Sequence, residues 1–146
     1  MSLSTFGAIM GFAADMVGQA EGVYKTLVEK AKNTALKDTL QSLLSEAHKN
    51  YSLMEQTRRE NVTEMILEPI AGLDQEDYRI DLKIADSRED VDLLKMALRL
   101  EERERKFFHD ASSKLPLPEA ARIFRKMAQK KEKNLGHLHS IKLSPF

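Results

Sequence analysis

The chain has 146 residues, 23 of them basic and 23 acidic, and it contains neither cysteine nor tryptophan. The balanced charge gives no general attraction to nucleic acid or an acidic membrane, and the lack of cysteine excludes disulfides, thiolate-held zinc, iron–sulfur clusters and a thiol nucleophile. Hydrophobic residues make up 42% and charged residues 32%, with six Gly and four Pro, the composition of one charged, mostly helical domain over residues 1–146.

A first helix is predicted from a cap at Ser4 or Thr5 to about Asn33. Its buried stripe is Met10, Ala13, Val17, Ala20, Tyr24, Leu27 and Ala31. Gly11, Gly18 and Gly22 each lower its propensity by up to ~1 kcal/mol relative to Ala, and they offer room for a neighbouring helix to approach. After a short break at Asn33 and Thr34, a second helix is expected over about Leu36–Thr63, with the stripe Leu36, Leu40, Leu43, Ala47, Asn50, Met54. The next stretch, Leu67–Asp86, loses the helical period at Pro69 and Gly72. It still carries Ile70, Leu73, Tyr78, Ile80, Leu82 and Ile84, too many apolar groups for a free linker, and so reads as an ordered crossover with one helical turn.

Ser87 and Asp90 resemble a capping pair opening a third helix that runs to about Lys114, its apolar line being Leu94, Leu98, Glu101, Phe108 and Leu115. Pro118 suits the first turn of a fourth helix, expected to reach Leu143. On that helix Ala120, Phe124, Met127, Lys131, Asn134, Leu138 and Ile141 share one face. Both late helices thus carry a charge of opposite sign in mid-stripe, Glu101 and Lys131. The pattern predicts polar groups that meet inside a bundle, with Asn50 and Asn134 as hydrogen-bond partners and Lys131 as the counter-ion of a carboxylate otherwise costly to bury.

Other metal or catalytic candidates are weaker. His48 follows Glu46 by two positions and His139 follows His137 by two, a spacing that points side chains apart on a helix. Glu101 and Glu104 are suitably spaced, but two carboxylates on one helix are commonplace. Met10, Met16, Met54, Met96 and Met127 read as core filler. The basic residues of helix 4 (Arg122, Arg125, Lys126, Lys130, Lys131 and Lys133, against Glu119 and Glu132) read as a solvated face rather than a binding patch.

Four helices of about 25 residues, with short loops between 1–2 and 3–4 and one long crossover between helices 2 and 3, describe an all-α, ferritin-like antiparallel four-helix bundle. Over nearly its whole length the chain resembles the rubrerythrin-type ferritin-like family. That family places a Glu seven residues before an aromatic on helices 1 and 3 and a Glu-x-x-His on helices 2 and 4, and these groups hold two irons. Here Glu101 and Phe108 keep the helix-3 pattern, and Tyr24 keeps the helix-1 aromatic. Val17, Ala47, Asn50, Lys131 and Asn134 stand at the other ligand positions, so only Glu101 is retained. The Cys-x-x-Cys rubredoxin segment of full-length rubrerythrins is missing as well.

The resemblance implies a di-iron oxidoreductase handling peroxide, oxygen or iron. The residues imply instead a bundle that has lost its di-iron site, binds no cofactor, catalyses nothing, and serves a structural, binding or regulatory role. A homodimer is expected by analogy with the family. No apolar run approaches the ~20 residues of a membrane span, and no signal-peptide pattern opens the chain, so a soluble cytoplasmic protein without membrane or nucleic-acid partners is expected.

Overall fold

The computed structural model describes residues 3–60, 70–82 and 89–143. These form four long helices: α1 (Phe6–Lys30), α2 (Thr34–Glu60), α3 (Asp90–Ser112) and α4 (Pro118–Ser140). A 3-10 turn, Gln75–Tyr78, lies between α2 and α3, and there is no β-strand among the described residues. The helices form an all-α bundle in which α1 packs on α2 and α3 on α4.

Local chemistry sets the helix ends. Thr5 Oγ1 accepts from the Ala8 amide at 2.9 Å and starts α1, as its cap position predicts. The first helix ends three residues before Asn33, because Asn33 itself starts the next one: its Oδ1 accepts from the Leu36 amide at 2.9 Å. Pro118 occupies the first turn of α4, which stops at Ser140 rather than Leu143.

Asp90 does not serve α3 in the expected way. Its carboxylate reaches across to the α1–α2 loop and accepts from the amides of Lys32 and Asn33, each at 2.9 Å. Ser87, its expected capping partner, lies outside the described residues, as do Pro69 and Ile84. Asp90 therefore ties one helix pair to the other through two backbone donors that the turn leaves without helical acceptors. Asp90→Ala should lower the stability of the whole chain by about 1–2 kcal/mol in urea denaturation, whereas a change no larger than that of the exposed Asp38→Ala would show the tie to be idle.

The core is in two parts. One cluster joins the start of α1 (Phe6 to Val17), Met54 of α2, Leu73 and Tyr78, the end of α3 and the start of α4. Within it Phe12, Tyr78, Phe107, Phe108 and Phe124 form a run of ring contacts, three of them edge-on (Tyr78–Phe107, Phe107–Phe108 and Phe108–Phe124) with centroids 5.2, 5.5 and 4.9 Å apart. The second cluster joins the end of α1, Leu36 to Ala47 of α2, Leu93 to Leu100 of α3, and Leu138. The connecting segment touches both: Leu73 and Tyr78 belong to the first, while Ile80 and Leu82 pack on the second. Gly72 makes the turn that aims it, at φ +90°, a conformation that favours glycine.

Two sequence expectations shift here. The buried line of α3 is Leu93, Ala97, Leu100, Glu101, Glu104 and Phe108, while Leu94 and Leu98 flank it half-buried. Of the three α1 glycines proposed to admit a neighbour, only Gly18 does so; a Cβ there would lie 3.3 Å from the Tyr51 ring, and one at Gly11 or Gly22 would meet nothing.

Candidate functional site

Between the two apolar clusters lies a layer of polar side chains supplied by all four helices. Lys131 is its centre. The side chain is 1% exposed, and its Nζ lies 3.0 and 3.3 Å from the two oxygens of Glu101, which is wholly buried. Glu104 Oε1 approaches the same ammonium at 3.4 Å and Glu46 Oε1 at 3.5 Å. Tyr24 donates its hydroxyl to Glu101 Oε2 at 2.8 Å. Asn134 Nδ2 donates to Glu101 Oε1 at 2.7 Å and reaches both Glu46 oxygens at 3.0 and 3.1 Å.

The periodicity explains why these residues converge. Lys131 and Asn134 are three apart on α4, as are Glu101 and Glu104 on α3, so each pair presents two groups to one side. Tyr24 of α1 and Glu46 of α2 supply the remaining walls. Glu101, Lys131 and Asn134 thus meet as the sequence predicts.

Asn50, the fourth expected member, does not join them. It is buried, but its Nδ2 has no hydrogen-bond partner among the described residues. Glu46, whose spacing to His48 argues against a shared site, and Glu104, a commonplace neighbour of Glu101 in the sequence, complete the layer instead. No sequence signal marks them, since Glu101 alone would neutralise the one mid-stripe lysine of α4.

Electrostatics follows from burial. Three carboxylates face one ammonium, a formal excess of two negative charges. Burial works against the Lys131 charge, but the fields of Glu104, Glu101 and Glu46 outweigh it and raise its pKa, so the ammonium is permanent at ordinary pH. Burial, helped by the charge of Glu101 and opposed by Lys131, pushes Glu104 up to about 7. Its Oε2 has no hydrogen-bond partner among the described residues, consistent with a carboxyl that can hold the excess proton. Burial and the neighbouring carboxylates also hold the Tyr24 phenol well above its ordinary pKa, so it stays a donor.

A cleft of about 300 Å³ between α2 and α4 opens this layer on one side, with Glu46 and Asn134 among its lining residues and with Thr39 and His137 in contact at its rim, 3.1 Å apart. Glu101, Glu104 and Lys131 lie behind it.

No family model, curated protein or solved structure matches the chain.

The residues do not fit a di-iron centre. Val17 and Ala47 are buried and offer no donor atom. Asn50 and Asn134 are neutral amides, and the ammonium of Lys131 claims the oxygens that would bridge two cations. His48 lies on the surface against Glu21 at 3.0 Å. His109, His137 and His139 are exposed, and Glu55 is half-buried well along α2 from the layer. Among the described residues no three His, Asp or Glu side chains are grouped so as to hold a metal ion. The five candidate methionines are all buried in the apolar clusters or beside them. No described helix is long and apolar enough to cross a membrane.

Proposed function

We propose that this chain is a ferritin-like, rubrerythrin-like antiparallel bundle in which a protein-borne cation stands where its apparent relatives hold iron, and that it serves as a non-catalytic structural, binding or regulatory module. The observation that carries the reading is the Lys131 ammonium, ringed by Glu101, Glu104 and Glu46 at 3.0–3.5 Å. A buried lysine in that place supplies the positive charge the carboxylates need and removes the room for an inorganic one. The connecting segment, packed along both core clusters, acts as the crossover that such a bundle requires between its second and third helices. A second copy of the chain, in the cytoplasm, is the partner this reading expects.

Protein produced in iron-rich medium should purify colourless, with well under one iron per chain by elemental analysis. Stoichiometric iron that survives dialysis against a chelator would refute the reading and return the chain to the di-iron oxidoreductases.

A further inference from the structure

Away from the polar layer, α3, α4 and the connecting segment form a cleft of about 430 Å³ that is open to solvent. That size lies within the range of small-molecule sites, about 300–1,000 Å³. Its apolar wall is made by Leu98 of α3, Leu135 of α4 and Ile80 of the connecting segment, and three cations line it: Arg99, Arg103 and Lys106. Two acids are also present, but they do not cancel this charge. Both oxygens of Glu102 are taken by Arg105, at 2.6 and 3.0 Å, which is not part of the lining. Of the cations, Lys106 donates to the Asp77 carbonyl at 3.4 Å and lies over the Tyr78 ring, and Arg103 faces the charge of Glu104, which leaves Arg99 as the most open.

Arg103 is the distinctive group. One end of its guanidinium is fixed, Nη2 donating to Gln19 at 2.9 Å. Arg99 stands on the same wall with its side chain exposed to solvent. Guanidinium groups beside apolar surface suit a planar anionic acceptor carried on an apolar body.

We propose that this cleft binds a small organic carboxylate, its apolar part against Leu98, Leu135 and Ile80 and its carboxylate at Arg103 and Arg99. The cleft shares no residue with the Lys131 layer, so this inference does not rest on the reading of that layer as metal-free.

Calorimetric titration of the full chain with octanoate, octanol and octylammonium tests it. Octanoate should bind at one site per chain, and both other probes should bind at least about tenfold more weakly, the cost of losing one charge-assisted contact. Arg99→Glu, on the exposed face of α3, and Arg103→Gln should each weaken octanoate by about tenfold or more while leaving the helical circular dichroism and the melting temperature near native values. Equal binding of octanol shows that the cations recognise nothing and overturns the proposal. So does saturable octanoate binding unchanged in both variants, several weak sites in place of one, or no octanoate binding at all. If Arg103→Gln loses helicity, Arg99→Glu alone decides, because its side chain reaches solvent and holds no core contact.

Discussion

Replacing Lys131 by Met is expected to destabilise the protein by about 3–5 kcal/mol at pH 8, among the largest effects of any single substitution in the chain. The methionine fills much of the same volume, so the loss is electrostatic. Glu101 and Glu104 would stay buried and, with the half-buried Glu46, lose their shared counter-ion. The carboxyls could then escape only by taking up protons, so the variant should recover stability as the pH falls towards 5, more steeply than the native chain. Adding Glu101→Gln and Glu104→Gln should return most of the loss, because neutral amides need no cation and Tyr24 and Asn134 can still donate to an amide oxygen. Urea denaturation of the single and triple variants at pH 5 and 8 measures all of this. A neutral Lys131→Met would mean that the ammonium contributes nothing where it sits.

Glu104→Gln should act in the opposite direction. In the folded chain burial lifts Glu104 to about 7, above its ordinary 4.5. Between those values the unfolded chain gives up the proton while the folded one keeps it, so folding loses stability as the pH rises. The contribution is fully present below about 4.5 and gone once the pH has passed about 7, a swing of about 3 kcal/mol for this wholly buried group. Glutamine fixes the neutral form. The variant should match the native chain near pH 4.5 and exceed it at pH 8, leaving Lys131 with two carboxylates instead of three. Native and variant stability curves that run parallel across that interval would show that Glu104 is already charged in the fold.

The sequence makes part of this layer legible and hides the rest for identifiable reasons. An apolar stripe interrupted by Glu101 on one helix and Lys131 on another can be satisfied only if the two meet, and they do. Tyr24 was visible as an aromatic at core spacing, but its hydroxyl partner depends on where α3 crosses α1. Glu104 was visible and discounted, because a carboxylate three residues from another is as common on a solvated face as in a core. The phase of α3 was ambiguous in the same way. In DVDLLKMALRL the lines Leu93–Ala97–Leu100 and Leu94–Leu98 differ by one residue, about 100° around the helix, and only packing against α1 and α4 selects the first. Local capping rules assign Asp90 to its own helix because they cannot see an acceptor serving a turn 57 residues away.

The division of the core into two apolar clusters by a charged layer has a consequence for how the helices find their alignment. Hydrophobic stripes alone tolerate slippage, since Phe124, Met127 and Leu138 present only apolar surface at their levels of α4. Sliding α4 along α3 by one turn, about 5.4 Å, would break the contacts that Lys131 makes at once with Glu101, Glu104 and Glu46 and part Asn134 from Glu101 and Glu46. Only one longitudinal setting keeps all of them. The layer therefore works as an index notch, selecting a single register for the two helix pairs whether or not it adds to the depth of the native minimum.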